Sequence, residues 1–151
     1  MIVRTSVLLS AAAALSVCAG CESSTGPVDP GGASYSAGYT PGRLVYATLN
    51  CDRLLTYAIL SLGRSRREFD LSVNIVEDCS RAGAGYAYWG VLILGDYMVT
   101  DSMLAFAPDS PSTPAFMGTF DGTYVTLELP VRSDSLAPTP VTVQLGPRAP
   151  F

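Results

Sequence analysis

The sequence predicts an all-β fold in which eight short antiparallel strands follow one another as an up-and-down meander. Three observations predict it. After residue 42, apolar residues recur with a period of two, Gly, Asp, Asn and Pro interrupt them at short intervals, and no stretch has a helical period. A meander of eight strands closes into a small barrel, and closure removes the exposed edges that an open sheet would leave.

The predicted strands cover residues 43–49, 56–62, 67–77, 86–94, 97–106, 115–120, 123–131 and 141–145. The third strand alternates most clearly. Phe69, Leu71, Val73 and Ile75 share the face that we expect to point into the core, while the polar residues between them take the other face.

Two hairpin turns are predicted where Gly adjoins Asp. Asp121-Gly122 lies between the sixth and seventh strands and is the strongest hairpin signal in the chain. Gly95-Asp96 suits a two-residue turn between the fourth and fifth strands. Residues 86–94 are apolar on both faces, which indicates a strand that is covered on both sides or one that meets lipid or a partner.

The first 20 residues have the three parts of a signal peptide. Arg4 supplies the positive charge, residues 7–17 form an apolar run, and the small residues Ala19 and Gly20 lead into Cys21. The apolar run is too short to span a bilayer as a mature helix. We therefore expect residues 1–20 to be removed on export.

The residues around Cys21 resemble the lipobox of bacterial lipoproteins, in which two small residues precede the lipidated cysteine. Cys18 stands where that motif usually has leucine, and Cys18 is the alternative acceptor. The resemblance implies acyl chains on Cys21 that anchor the protein to a membrane. In such lipoproteins aspartate after the cysteine favours the inner membrane. Here that residue is Glu22, so we expect an exported protein anchored at the outer membrane rather than the inner.

Residues 21–42 are rich in Ser, Gly and Pro, and they are predicted to be a flexible tether because they bury too little apolar surface to offset the entropy of ordering. The folded domain is then expected to cover residues 43–151.

The order of the hairpins, with Phe116-x-Gly118-x-Phe120-Asp121-Gly122 near the end, resembles the small lipocalin-like lipoproteins, and this resemblance implies a meander barrel. Such a barrel holds packed side chains or one small ligand, and the short chain favours a filled interior. The alternative is an immunoglobulin-like β-sandwich, whose tryptophan lies between two cysteines, whereas Trp89 follows both Cys51 and Cys79.

Cys51 and Cys79 are the only cysteines after residue 21. In an exported protein they predict a disulfide bond, because each follows a strand that ends at the same rim of the meander. The alternative, a redox pair, lacks the C-x-x-C spacing.

Two further sets of residues are candidate contact sites. Arg64, Arg66 and Arg67 lie in the turn at the opposite rim, where they either meet an anionic surface or form a solvated turn. A second set consists of aromatic residues that we expect on one hairpin, where they either fill the core or meet a ligand or partner: Tyr86, Tyr88, Trp89 and Tyr97.

The composition argues against most catalytic chemistry. The chain has no histidine and no lysine, which removes the commonest general base and every Schiff-base mechanism. Without the first 20 residues, 13 acidic residues face eight arginines, a net charge of about −5 that gives no footprint for nucleic acid. No motif indicates a metal or another cofactor.

We therefore expect a non-catalytic binding or interaction module, not an enzyme. Its expected partners are the membrane, through the lipid anchor, and a small apolar ligand or an envelope protein. The alternatives are a purely structural envelope lipoprotein and a hydrolase that uses two carboxylates.

Overall fold

A computed structural model describes residues 29–47, 49–129 and 141–149 of the chain. Its strands are β1 (Ser34–Ala47), β2 (Asp52–Leu62), β3 (Glu68–Asp78), β4 (Tyr86–Thr100), β5 (Met103–Pro108), β6 (Phe116–Phe120), β7 (Val125–Leu129) and β8 (Val141–Pro147), with a short 3-10 helix at Ser80–Ala82. Each strand pairs antiparallel with the next, and β8 returns to β1, so the sheet is a closed barrel. The predicted meander is confirmed, and the sandwich alternative is wrong.

The strands fall into a long and a short set. Strands β1 to β4 have 11 to 15 residues, whereas β5 to β8 have five to seven. The pairing of β4 with β5 begins only at Gly95, opposite Pro108. The long strands therefore continue past the short ones as a four-stranded extension, made of residues 43–47, 52–55, 75–78 and 86–94.

Aromatic side chains fill the middle of the barrel. The Phe106 ring stacks on Phe116 at a centroid distance of 4.7 Å, and the edge of Phe69 meets Phe106 at 5.0 Å. Leu71 and Val73 continue this core along β3, as predicted, while Ile75 is half-buried and packs against its end. In the part of the chain that the structure describes, no polar or charged side chain is buried.

The hairpin at Asp121-Gly122 is confirmed, but its loop covers residues 121–124 and β7 begins at Val125, not at residue 123. The Asp121 carboxylate accepts backbone N–H groups from Tyr124 at 2.7 Å and from Thr123 at 2.9 Å. These bonds lower the pKa of Asp121 below its ordinary value, because they stabilise the charged carboxylate. Gly122 supplies the positive φ of 99° that the turn requires.

The predicted turn at Gly95-Asp96 is wrong. Strand β4 runs through it to Thr100, and the chain reverses at Asp101-Ser102 instead. A Cβ atom at position 95 would overlap the carbonyl oxygen of Ala107 and approach the Phe69 ring to 2.9 Å. Glycine is therefore needed here for close packing inside a strand, not for a turn.

The predicted boundary of the domain at residue 43 is also wrong. Strand β1 begins at Ser34, so residues 34–42 belong to the barrel and not to a tether. Tyr35 is buried in the core, and Ala37 and Tyr39 pack against it. Frequent Gly, Ser and Pro in this segment masked an alternation that only the pairing with β2 shows. Of the rest of the predicted tether, residues 21–28 lie outside the described residues, and Gly32 donates its N–H to the Leu62 carbonyl at 2.6 Å.

The disulfide prediction is confirmed. Cys51 and Cys79 are bonded, with their Cα atoms 4.1 Å apart, at the far end of the extension. Beside the bond, Asp52 pairs with Asp78 across β2 and β3, and the Arg81 guanidinium forms an ion pair with Asp52. The disulfide therefore joins the start of β2 to the end of β3, where these strands extend past the short strands β5 to β8.

Candidate ligand site at the barrel mouth

A cavity of about 390 Å³ opens at the end of the barrel from which the extension projects. Its floor is formed by Leu55 and Val73, which cover the aromatic core, so the barrel is filled below it. Its walls come from β1, β3 and β4, from the segment between β5 and β6, and from the ends of β7 and β8: Val45, Ile75, Trp89, Val91, Ile93, Ser112, Thr113, Pro114, Leu129 and Val141. The expectation of a filled interior therefore holds for the middle of the barrel but not for its mouth.

The inward side chains of β4 form one wall of this cavity. Register with β3 places Trp89 opposite Ile75 and Val91 opposite Val73. Because side chains alternate along a strand, Trp89, Val91 and Ile93 share the concave face. Trp89 remains 44% exposed, although its ring lies in the cavity wall. An indole in this position presents a flat apolar surface to whatever enters.

One cation borders the cavity. The Arg53 guanidinium lies 4.8 Å from the centre of the Trp89 ring, and its Nε donates to Glu77 Oε1 at 2.8 Å. The carboxylate and the ring hold the guanidinium plane at the rim of an apolar surface. The cavity thus combines aliphatic walls, one indole and one oriented positive charge.

The four aromatic residues predicted as a set do not share one environment. All four lie on the single strand β4, not on a hairpin. Tyr86 and Tyr88 lie on the convex outer face and are exposed, and Trp89 faces the cavity. Tyr97 is buried in the core, and its hydroxyl donates to the Gly63 carbonyl at 2.7 Å. Only Trp89 of the four belongs to the cavity.

The arginine cluster does not form one converging site. The Arg67 guanidinium donates to Asp29 at 2.8 Å and lies 5.6 Å from the Tyr97 ring. The backbone N–H of Gly31 and the Arg67 side chain hold the pKa of Asp29 below its usual value. Arg64 lays its aliphatic stem on Gly32, while Arg66 is exposed and lies 3.8 Å from Glu68. Arg67 is therefore engaged with Asp29 and Tyr97 at the end of the barrel opposite the cavity, and the three arginines do not converge on one point.

Several cavity residues carried no signal in the sequence. Thr113 is far along the chain from Val45 and Arg53, and these residues meet only through the register of the sheet. The inward position of Arg53 depends on a bulge between Leu55 and Tyr57, which a strict alternation of residues does not predict. The sequence identifies Trp89 as a candidate from its residue type, but it does not show that the side chain faces the cavity.

The described residues contain neither a cluster of metal-binding side chains nor a membrane-spanning helix. Within residues 29–47, 49–129 and 141–149, no three His, Cys, Asp or Glu side chains are grouped to hold a metal ion. No helix in those ranges is long and apolar enough to cross a membrane. The predicted lipidation site, Cys21, lies outside the described residues.

Comparison with known proteins gave no assignment. No protein-family model matches the chain, and searches of curated proteins and of solved structures found no match either. The resemblances to lipoproteins and to lipocalin-like barrels therefore remain predictions from the sequence.

Proposed function

We propose that this protein is a non-catalytic binding module, held at the cell envelope by acyl chains on Cys21, that takes one small apolar ligand into the mouth of its barrel. The observation that carries the proposal is the 390 Å³ cavity with its largely apolar lining. Its volume falls at the small end of the range of about 300–1,000 Å³ that ligand sites occupy.

The chemistry of the lining favours an apolar ligand with at most one negative group. The aliphatic walls and the indole ring bury apolar surface at roughly 25 cal/mol per Å². Arg53 is the one charged residue that borders the described cavity, and Glu77 and Trp89 fix its orientation. No carboxylate lines the cavity among the described residues, so the two-carboxylate hydrolase alternative has no support at this site.

The cavity can be tested through Trp89, the single tryptophan of the chain. Titration with N-phenylnaphthylamine, which is neutral, and with anilinonaphthalene sulfonate, which is anionic, should quench Trp89 emission by energy transfer to the bound naphthalene ring. If Arg53 contributes, the anionic probe should bind more tightly, and Arg53→Gln should remove that difference.

A matched pair of variants separates the cavity from the rest of the surface. Val91→Phe should place a ring in the cavity and weaken binding of both probes at least tenfold. Leu94→Phe adds similar bulk on the outer face of the same strand and should leave binding unchanged. The signal from probe that partitions into detergent is the same for every variant, and it is subtracted from each titration. Equal binding to the parent and to Val91→Phe would refute the cavity as the ligand site and leave the structural-lipoprotein alternative.

The anchor is tested independently. Cys21→Ala should release the protein from the membrane fraction of the cell, because it removes the thiol that carries the lipid. Cys18→Ala is the matched control and should leave the protein membrane-bound. Retention of the Cys21→Ala protein in the membrane would contradict the assignment of the lipidated residue.

A further inference from the structure

Residues 86–93 of β4 form one edge of the extension, and β1, which pairs with β8 only at Tyr35 and Ser36, forms the other. On one side residues 86–93 pair with β3, from Tyr86 opposite Asp78 to Ile93 opposite Leu71. On the other side, β5 begins its pairing only at Gly95, and the last bond beyond it runs from the Asp109 N–H to the Leu94 carbonyl. Among the described residues no strand pairs with this edge.

The orientation of the backbone identifies which groups are unpaired. The Leu94 carbonyl points away from β3, because it accepts a bond from Asp109, whereas the Tyr97 N–H points back to the Arg67 carbonyl. Backbone polar groups alternate between the two sides of a strand. Tyr88, Gly90 and Leu92 therefore direct their N–H and C=O groups outward from the edge.

The side chains along this edge are also uncovered. Tyr88 is 78% exposed and Leu92 63% exposed, on the convex face. Soluble sheets usually protect an edge with charged residues, proline or a bulge. Residues 86–94 contain no charged residue and no proline, and their ladder with β3 is regular. This combination is typical of an edge that receives another strand.

We propose that this edge pairs with the same edge of a second copy of the chain. The two β4 strands would run antiparallel, with Gly90 of each copy on the two-fold axis. Tyr88, Gly90 and Leu92 then form hydrogen-bonded pairs with Leu92, Gly90 and Tyr88 of the second copy, which gives about six backbone bonds across the interface.

The order of residues along the edge is complementary to itself. Aromatic residues occupy its first half and aliphatic residues its second half. Antiparallel pairing therefore places Tyr88 against Leu92 on the convex face and Trp89 against Val91 on the concave face, and cross-strand pairs of aromatic with aliphatic side chains stabilise a sheet. The absence of charge means that no like charges meet.

The available surface is enough for a specific dimer. Six large apolar side chains of this stretch are exposed, three of them aromatic: Tyr86, Tyr88, Trp89, Val91, Leu92 and Leu94. With about 150–250 Å² for each aromatic residue, their exposed surface amounts to at most roughly 600 Å² in each copy. Complete burial of this surface in both copies would reach the ~1,200 Å² at which specific interfaces begin.

Two measurements on the full chain test this pairing. Sedimentation equilibrium in detergent should show a dimer for the parent protein and for Thr142→Lys, a matched control on the exposed face of β8. Leu92→Lys places a charge beside the edge and should raise the dimer dissociation constant at least tenfold. In cells, Gly90→Cys should give a disulfide-linked dimer on mild oxidation, whereas Thr142→Cys should not. A Cβ at position 90 has room, since its nearest neighbour is Asn74 Oδ1 at 3.5 Å.

Three results would overturn the proposal. The first is a monomeric parent protein at every concentration together with no Gly90→Cys cross-link. The second is a cross-link from Gly90→Cys to a different protein, which would show a heterologous strand at the edge. The third is a monomer whose binding to lipid vesicles Leu92→Lys weakens, which would assign the surface to the membrane. None of these results bears on probe binding at the cavity, so the two proposals fail separately.

Discussion

Replacing Phe106 with alanine tests whether the barrel interior is the packed core that the structure shows. The Phe106 side chain is 1% exposed and makes three aromatic contacts, with centroids at 4.7 Å to Phe116, 5.0 Å to Phe69 and 6.3 Å to Tyr97. A smaller side chain at this position would lose these three ring contacts. The neighbouring rings lie on strands of the closed barrel, so they cannot move far enough to fill the cavity that the substitution leaves.

The expected cost follows from the burial and these contacts. A buried Phe→Ala change costs about 3–5 kcal/mol, through lost transfer free energy and the cavity left behind. Each lost ring pair adds about 0.5–1.5 kcal/mol beyond area, which places Phe106→Ala in the upper half of that range. At about 3–5 °C for each kcal/mol in a domain of this size, the melting temperature should fall by roughly 10–20 °C.

The measurement is urea unfolding with the disulfide intact, followed by circular dichroism and by Trp89 emission. Met98→Ala is the matched control. It removes a comparable apolar side chain that is 70% exposed on the outer face of β4, and it should change the free energy of unfolding by no more than about 0.5 kcal/mol. If Phe106→Ala costs less than about 1 kcal/mol, the interior is not packed there, and the hollow barrel becomes the correct description.

Three further predictions concern the disulfide, the rim and the misassigned turn. Replacing both Cys51 and Cys79 with alanine opens a loop with a sequence separation of 28 and should lower the free energy of unfolding by about 3–4 kcal/mol in urea melts. Because the folded pKa of Asp29 is lowered by Gly31 and Arg67, its contribution is present above the ordinary value of 3.8 and is lost as pH falls through the folded value. The stability advantage over Asp29→Asn should therefore be constant above about pH 5 and shrink as pH falls below 3.8, and an advantage that is the same at every pH would contradict the Asp29–Arg67 contact. Gly95→Val should destabilise by about 2–3 kcal/mol in the same urea melts, since its side chain would meet the backbone of Ala107 and the Phe69 ring.

The strand order could be predicted from the sequence because the core imposes a period of two. Val125, Leu127 and Leu129 alternate with polar residues on β7, so that strand is visible in the sequence by itself. Where both faces of a strand are apolar, this signal disappears. That is why the end of the fourth strand was misplaced at Gly95, which is a glycine required by packing and not by a turn.

The cavity could not be predicted because its walls come from segments that are distant along the chain. Their meeting depends on strand length and register, and the sequence encodes both only weakly. Arg53 lies on the concave face because of the bulge between Leu55 and Tyr57, and Val141 reaches it only because β8 begins at the open end. The aromatic signal at Trp89 was specific enough to name a candidate, but a register slip of one residue would have exchanged it with Tyr88.

The unequal strand lengths explain why residues 86–94 are apolar on both faces. A strand of a closed barrel needs apolar residues only on its inner face, since solvent covers the other. In the extension, the inner face of β4 borders the cavity through Trp89 and Val91, while its outer face carries Tyr88 and Leu92. Because both faces of this stretch carry apolar residues, its sequence shows no alternation of apolar and polar residues. If both proposals hold, Leu92→Lys disrupts the dimer and leaves probe binding unchanged, because Leu92 lies on the face opposite the cavity. Loss of both properties in Leu92→Lys would mean that the two faces are not independent, and Trp89, which borders the cavity and the edge together, is the residue that would couple them.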